Sequence, residues 1–364
     1  MNFIPISQPS ITDKEIQYVN SAMKSGWVSS LGEYIEKFEK EFAEYCGAKY
    51  ALTTSNGTTA LHLALESCGI GENDEVIVPE LTFIATASAV LHTGANVVIV
   101  DINRDTLCID PDVIEKSITK DTKAIIPVHL YGYPAEMDKI IQIAEKYNLI
   151  VIEDAAEAHG AEINGKKVGS IGDISIFSFY GNKIITSGEG GMLVTSNESL
   201  YKKAKLLRDH AMSPKKRYWH DEIGFNYRMT NIQAALGLAQ FERIDEILEK
   251  KKEVYEWYKE HLSNIQGVKL NYTKTGIRNV FWMVVLEIDS FNEEKREEFM
   301  QKLKERNIDS RPYFYPLSSF PMFDQKDNRV AYTLYEKGLN LPSYFDITKE
   351  QIMYICQVIK ELLE

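Results

Sequence analysis

Short apolar runs alternate with helix-like segments between residues 75 and 154, and this alternation limits the possible folds more than any other feature of the chain. The runs are "EVIVPE", "NVVIVD", "TKAIIPVHLYG" and "LIVIED"; between them lie "TFIATASAVLHTG" and a predicted helix over residues 135–147. Strands that alternate with helices predict βαβ crossovers and a mainly parallel sheet. Because the runs are almost continuously apolar, we expect helices to cover both faces of that sheet.

Capping signals mark the starts of three predicted helices. Thr12 with Glu15, and Thr230 with Gln233, have the spacing of capping boxes. Asp110 is followed by a proline, which fits a helix with proline in its first turn.

The rest of the chain predicts a second, smaller domain. One long helical stretch is expected from about residue 232 through "EILEKKKEVYEWYKEHL", followed by a strand in "FWMVVLEI", a helix in "NEEKREEFMQKLKERN" and a last helix after residue 346. A chain of 364 residues is long enough for more than one core. We therefore expect a large domain at residues 1–245 and a smaller α/β domain at residues 246–364, joined through the long helix.

Composition and charge disfavour several classes of function. Apolar residues make up 44% and charged residues 26%, as in folded globular proteins. No apolar run is long enough to cross a bilayer, and the N-terminus lacks the layout of a signal peptide, so we expect a cytoplasmic location and no membrane partner. The formal charge of −12 disfavours nucleic acid. The four cysteines form no CxxC pair and have no histidine at ligand spacing, which predicts neither disulfides nor a metal site.

Three segments carry residue types that suit a phosphorylated cofactor. Asp154 ends the run "LIVIED", and ligands collect at the carboxyl ends of strands in open α/β sheets. The turn in "SNGTTALHLAL" leads into a helix whose free N–H groups could bind a phosphate. Lys183 lies in "FSFYGNKIITSGEGGM", between aromatic residues and glycines. Taken singly, each has an ordinary alternative: a helix-capping acid, a common helix start and a solvated surface lysine.

The order of these segments along the chain resembles the DegT/DnrJ/EryC1/StrS sugar aminotransferases, which are pyridoxal phosphate (PLP) enzymes of fold type I. The similar segments run from "GWVSS" through "VIEDAAEAHGA" and "GFNYRMTNIQAALGLAQ" to "SRPYFYPLSSFPMF". The resemblance implies a large domain with a mainly parallel mixed sheet flanked by helices, plus a smaller C-terminal α/β domain. It also implies a homodimer with active sites at the subunit interface.

The resemblance assigns roles to residues around the cofactor. Lys183 would bond to the aldehyde of PLP and move the proton during transamination. Asp154 would keep the pyridine nitrogen protonated. Phe83 would stack on the ring, with a core phenylalanine as the alternative, and Glu157 would lie near the ring hydroxyl, with a solvated helix residue as the alternative. The implied phosphate ligands are Gly57, Thr58, Thr59 and Ser178, with Asn226 from the neighbouring subunit.

The resemblance further implies a nucleotide sugar and glutamate as substrates. The "FYGNK" and "RPYFYPL" segments are most similar to members that act on GDP-4-keto-6-deoxymannose. A basic cluster in "RDHAMSPKKRYWHDEIGFNYR" could neutralise a diphosphate, although Lys215 and Lys216 also suit a solvated loop. The residues expected to line the substrate pocket are Trp27, Ser29, Arg217, Arg311 and Tyr313.

Two residues bear on the choice between related activities. Many relatives have histidine where this chain has Ser318, so any contact of that histidine is absent here. Relatives that catalyse dehydration replace the lysine by histidine, and the presence of Lys183 therefore favours transamination.

Three alternatives stay open. The same chemistry could act on a UDP-linked or an eight-carbon keto-sugar. A non-catalytic binding or regulatory protein could keep the fold. A nicotinamide-dependent oxidoreductase is disfavoured, because no GxGxxG follows a predicted strand with an acid about twenty residues further on.

Overall fold

Helices and strands alternate along most of the chain in the computed structural model, which describes residues 2–364. The helices are α1 (Asp13–Ser25), α2 (Glu33–Cys46), α3 (Gly57–Ser67), α4 (Ala85–His92), α5 (Pro111–Ser117), α6 (Met137–Tyr147), α7 (Glu198–Arg208), α8 (Asn231–Phe241), α9 (Ile244–Leu262), α10 (Glu293–Glu305), α11 (Arg329–Tyr335) and α12 (Lys349–Leu363). The strands are β1 (Tyr50–Thr54), β2 (Glu75–Pro79), β3 (Asn96–Val100), β4 (Thr122–Ile125), β5 (Ile150–Asp154), β6 (Glu162–Ile163), β7 (Lys166–Lys167), β8 (Ile174–Ser178), β9 (Gly191–Thr195), β10 (Val268–Leu270), β11 (Ile277–Arg278), β12 (Val284–Ile288), β13 (Arg311–Pro312) and β14 (Gly338–Leu341).

The largest sheet has seven strands in the order β1–β9–β8–β5–β4–β2–β3. Strand β9 pairs antiparallel with both of its neighbours, and every other pairing in this sheet is parallel. Val76 and Val78 pack into one apolar cluster, whereas Ile77 between them packs into another. Both faces of the sheet are therefore buried, and the predicted mainly parallel sheet covered by helices is confirmed.

A second sheet of four antiparallel strands, β10–β12–β14–β13, forms with α9, α10 and α12 a separate apolar cluster. The N-terminal segment joins this cluster, because Ile4 is fully buried and pairs with Ile308. A smaller C-terminal α/β part is thus present. Its boundary after residue 245 falls inside α9 and stays a prediction.

The predicted capping signals are confirmed, but the predicted unbroken helix is wrong. Capping boxes begin α1 at Thr12 and α8 at Thr230, and Asp110 caps α5. The long stretch divides into α8 and α9 because Arg243 leaves the helical conformation, at φ −109° and ψ 11°. Its guanidinium donates instead to buried Glu15, at 2.9 Å.

The topology brings three chain segments to one edge of the large sheet. Parallel neighbours β5 and β8 end at Asp154 and Ser178. Helix α3 begins at Gly57, directly against Ser178. Within residues 2–364 no helix is both long and apolar enough to cross a membrane.

Candidate active site

The carboxyl end of β5 buries one acid, Asp154, which is 6% exposed. Thr86 Oγ1 donates to its Oδ2 at 2.8 Å, and the Ala156 N–H donates to its Oδ1 at 3.2 Å. Burial raises the pKa of Asp154, while these hydrogen bonds and the charge of Lys183 act in the opposite direction. A buried carboxylate of this kind is well suited to pair with a protonated ring nitrogen.

Glu157 lies three residues after Asp154 and is 4% exposed. Its Oε2 accepts from the Tyr131 N–H at 2.9 Å, and its Oε1 lies 3.4 Å from Lys183 Nζ. Burial raises the pKa of Glu157, and the Lys183 charge opposes that shift. The alternative of a solvated helix residue is wrong, because the residue is buried and lies in a turn.

Lys183 follows β8 in a turn, where its N–H donates to the Tyr180 carbonyl at 3.0 Å. Its side chain is only 12% exposed, so the alternative of a solvated surface lysine is wrong. Its Nζ lies 4.0 Å from the centroid of the Trp282 indole. The exit from this turn needs glycine at Gly191, where a Cβ would come within 2.4 Å of the Asn56 carbonyl oxygen.

The start of α3 presents donors that suit a phosphate. The backbone N–H groups of Gly57 and Thr58 donate no hydrogen bond within the described chain, and the Thr59 N–H is already taken by the capping residue Asn56, at 2.8 Å. A Cβ on Gly57 would lie 2.8 Å from Ser178 Cβ and 3.2 Å from its Oγ. Glycine thus lets two free N–H donors and one hydroxyl converge, which fits an anion at a helix N-terminus. The Thr59 hydroxyl donates to the Asn56 carbonyl at 2.9 Å and so belongs to the cap.

A cavity of about 720 Å³ lies beside the turn that carries Lys183, and its lining is mainly aromatic and aliphatic. Phe83 lines it and is 56% exposed, so the alternative of a core phenylalanine is wrong. Tyr313 and Arg311 also line it; Tyr313 is buried, and Arg311 donates to Asp309 at 2.6 Å. Trp282 connects the cavity to Lys183, because it lines the cavity and its ring contacts the lysine Nζ.

Two predicted substrate residues lie away from this cavity within their own chain. The carbonyls of Trp27 and Ser29 accept hydrogen bonds from Asn231, at 2.7 and 2.6 Å. Both side chains are exposed beside the start of α8. Neither is among the residues that line the cavity.

Two arginines of the predicted basic cluster are paired with carboxylates of the same chain. Arg208 donates to Glu39 at 2.9 Å and is largely buried, and Arg228 donates to Asp209 at 2.6 Å. The charges of these two arginines are thus already matched by carboxylates of the same chain. The side chains of Lys215, Lys216 and Arg217 are exposed.

Asn226 is likewise exposed, and within residues 2–364 its side chain forms no hydrogen bond with another of the predicted cofactor residues. Its Oδ1 accepts from Arg228 Nε at 3.0 Å, and the next residue, Tyr227, accepts from the Ser55 N–H at 2.8 Å. Arg217 lies over the ring of Tyr218, at 5.0 Å from its centroid.

Three residues of the site were not predicted from the sequence: Thr86, Tyr131 and Trp282. Tyr131 has φ 53° and ψ 19°, a conformation that is costly for a bulky residue and concentrates at functional sites. Its ring lies nearly parallel to Phe314, at 5.6 Å and 9°. Neither "HLYGY" nor "FWMVV" contains a local signal for these roles, since both suggest ordinary strand residues.

Ser318 connects the small domain to the end of β2. Its N–H donates to Glu80 Oε1 at 2.7 Å, and its hydroxyl donates to Oε2 at 3.1 Å. Burial raises the pKa of Glu80, and these bonds oppose the shift. Ser318 therefore fastens the segment that follows the cavity-lining residues 311–315.

Comparisons with known proteins agree with this geometry. The family model of the DegT/DnrJ/EryC1/StrS aminotransferases matches residues 9–360. The chain is 46% identical over 363 residues to a GDP-perosamine synthase of Escherichia coli O157:H7, covering 99% of each chain. It is also 46% identical to a GDP-perosamine synthase of Caulobacter vibrioides, covering 99% of this chain and 98% of that one.

A solved structure gives the same result for the fold and cofactor. Spr1654 of Streptococcus pneumoniae, a sugar aminotransferase by name, was solved in its PLP form. The two chains superpose with a TM-score of 0.94 at 28% identity, and all of each chain is covered. The phosphate cradle provides N–H and O–H donors, the buried acid provides an acceptor for a protonated ring nitrogen, and the buried lysine provides an amine, so the residues present fit PLP. The chain belongs to the DegT/DnrJ/EryC1/StrS aminotransferase family and is a PLP-dependent sugar aminotransferase.

Proposed function

We propose that the enzyme transfers an amino group from glutamate to a 4-keto-6-deoxy sugar carried on a nucleoside diphosphate, with GDP-4-keto-6-deoxymannose as the acceptor. The observation that carries this proposal is the 46% identity, over nearly the whole chain, with two relatives named for the synthesis of a GDP-linked amino sugar. The 720 Å³ cavity beside Lys183 supports it, because ligand sites of this size are lined mainly by apolar and aromatic groups.

The catalytic roles follow from the buried groups. PLP, when bound, supplies an electron-withdrawing ring that stabilises negative charge on the carbon bearing the amino group. Asp154 would hold the proton on the ring nitrogen, because a buried carboxylate gains most from a directly paired cation. Lys183 Nζ would accept a proton from one of the two carbons that flank the transferred nitrogen and deliver it to the other, so that one amine serves as base and then as acid. Glu157 would orient that amine and accept from the backbone at Tyr131.

The remaining residues would bind the cofactor phosphate, the cofactor ring and the sugar nucleotide. The N–H groups of Gly57 and Thr58 and the hydroxyl of Ser178 would bind the cofactor phosphate, and Thr59 would fix the cap that exposes them. Phe83 would cover the cofactor ring from the cavity. Arg311 and Tyr313 would line the sugar nucleotide site.

The choice of nucleotide can be tested by competition. Equal concentrations of GDP- and UDP-linked 4-keto-6-deoxy sugars, with glutamate as donor, should give at least about tenfold faster amination of the GDP sugar. A site that hydrogen-bonds one base leaves its polar groups unpaired with another base. Product ratios by mass spectrometry provide the measurement. Faster amination of the UDP sugar would refute the GDP-linked acceptor but not the aminotransferase chemistry. Equal rates would refute the preference for the GDP sugar.

We also propose a homodimer in which each active site takes residues from both subunits. Large apolar side chains are exposed in two segments of the chain, residues 27–31 and 218–223, and exposed apolar surface of this kind marks interaction sites. Asn226 lies close in sequence to three of them, and it would reach the cofactor phosphate of the neighbouring subunit, with Arg217, Trp27 and Ser29 approaching that subunit's substrate. The exposed apolar residues are Trp27, Leu31, Tyr218, Trp219 and Ile223.

Mixed dimers test the shared site. Lys183→Ala removes the amine, and Asn226→Asp places a carboxylate against the phosphate, so each homodimer should be poorly active. A mixed dimer would carry both lesions in one site and none in the other. Random reassociation of equal amounts gives about half mixed dimers, so roughly a quarter of the wild-type activity should return. Activity that stays at the average of the parents, after subunit exchange has been verified, would show that Asn226 serves only its own subunit.

A further inference from the structure

Trp282 is in direct contact with the catalytic amine, yet it belongs to the small-domain part of the chain. Its indole face lies 4.0 Å from Lys183 Nζ, and the Glu157 carboxylate lies 3.4 Å from the same nitrogen. The indole is 4% exposed, so little water competes for the amine. The face of an indole attracts a cation more strongly than any other aromatic side chain does.

Two hydrogen bonds fix Trp282 in this position. Its indole N–H donates to the Asn182 carbonyl at 2.7 Å, and its own carbonyl accepts from Lys251 Nζ at 2.9 Å. Lys251 belongs to α9 and donates its second bond to the Ser343 carbonyl at 2.5 Å. It thereby joins the two segments that carry Trp282 and Ser343.

Lys251 is unusual among the lysines because it is 6% exposed and, among residues 2–364, no carboxylate forms an ion pair with it. Burial lowers the pKa of Lys251 to about 7. Burial of an amine without a counter-ion costs folding free energy, which its hydrogen bonds offset only in part. Here those bonds determine where the backbone of Trp282 lies.

We propose that the indole of Trp282, together with Glu157, binds the amine of Lys183 whenever this lysine is not bonded to the cofactor. Lys251 is the positioning residue that holds Trp282 in place. This inference rests on the role proposed above for Lys183.

The proposal predicts that loss of the Trp282 contact affects the binding of only one of the two forms of the cofactor. In the cofactor-free protein and in the pyridoxamine phosphate complex Lys183 is free, so the contact with Trp282 is present in both. In the PLP complex the lysine nitrogen is bonded, and the contact is given up. Loss of the contact therefore destabilises the cofactor-free protein and the pyridoxamine phosphate complex equally, but leaves the PLP complex unchanged.

Trp282→Leu should accordingly tighten PLP binding by about tenfold and leave the dissociation constant of pyridoxamine phosphate unchanged. Trp282→Phe keeps an aromatic face and should shift PLP binding less. Both constants come from titrating each cofactor into cofactor-free full-length protein, with absorbance as the readout and no turnover involved. Weaker binding of both cofactors by the same factor, as expected for a merely structural role, would overturn the proposal, and so would two unchanged constants.

The chain offers a matched control in Trp257, whose ring lies 4.2 Å from Lys250 Nζ on α9. Trp257→Leu removes a similar contact away from the site and should change neither constant. Trp282→Leu introduced together with Lys183→Ala should also have no effect on the ratio of the two constants. That result separates a failure of this proposal from a failure of the role proposed for Lys183, because a ratio that still shifts without the lysine amine cannot arise from it.

Lys251→Met tests the positioning role. It should shift the ratio in the same direction as Trp282→Leu but less, and the double variant should not exceed Trp282→Leu alone, because Lys251 acts through Trp282. Additive shifts would refute the positioning role. Should Lys251→Met fail to fold, Lys251→Gln keeps a donor with a shorter reach, and the same non-additivity decides the question.

Discussion

Lys183→Ala should reduce turnover by at least about 10⁴-fold, because one amine provides both the bond to the cofactor and the proton transfer. The protein should remain folded, since the Lys183 backbone bond to Tyr180 and the surrounding turn do not depend on the side chain. The phosphate cradle at the start of α3 should still bind the cofactor non-covalently. The measurements are the steady-state rate with glutamate and the keto-sugar, and the melting temperature of the cofactor-free protein.

The control for this variant is Lys166→Ala, at an exposed lysine of β7, which should leave both the rate and the melting temperature unchanged. Near-normal turnover of Lys183→Ala with added PLP would refute the assignment of the catalytic amine.

Asp154→Asn should retain bound cofactor yet slow proton abstraction by several orders of magnitude. The amide has nearly the same shape and can still accept from Thr86, but it carries no charge to hold a proton on the ring nitrogen. Mixing the cofactor-loaded variant with glutamate and following absorbance in a single turnover isolates this step. Unaltered single-turnover rates would refute the role, and Asp289→Asn, at an exposed acid, provides the control.

The same variant has an expected effect on stability. Burial raises the pKa of Asp154 above its unfolded value, so the folded state binds more protons than the unfolded state between the two pKa values. The contribution of this group to stability therefore falls as pH rises through that range, and at neutral pH the ionised acid is a cost. Cofactor-free Asp154→Asn should then melt at the same or a higher temperature than wild type at pH 7.5.

Local patterns predicted the parts of the fold that depend on near neighbours in sequence. The alternation between residues 75 and 154 predicted the parallel strands, and the capping pairs at Thr12 and Thr230 predicted where helices begin. The break at Arg243 could not be predicted in this way, because it depends on an ion pair with Glu15, more than two hundred residues away. A helical pattern carries no information about such a distant partner.

The candidate site, too, contains some residues that local patterns predicted and others that depend on distant parts of the chain. Asp154 and Lys183 could be proposed from strand ends and from the order of motifs along the chain. Trp282 could not, because it reaches the site only through the return of the small-domain segment onto the large sheet, about one hundred residues after Lys183. Burial was equally undetermined for Glu157 and Phe83: no single-residue pattern distinguishes a buried acid from a solvated one, or a cavity-lining phenylalanine from one in the core.

The central claim is that Lys183 is the amine that bonds to PLP, and the chain contains a chemical competitor. Lys251 is also buried, and its pKa of about 7 leaves much of its amine neutral above that pH. The small cavity that both lysines line has a volume of about 20 Å³, which is too small for the cofactor, whereas the phosphate cradle and Asp154 lie on the side of Lys183.

Borohydride reduction of the PLP-loaded enzyme, followed by proteolysis and mass spectrometry, decides between the two lysines. Reduction makes the bond between lysine and cofactor permanent and should bleach the visible absorbance. The account predicts the added cofactor mass on the peptide that contains Lys183 and on no other peptide. Finding that mass on the peptide that contains Lys251, or on no lysine at all, would contradict it.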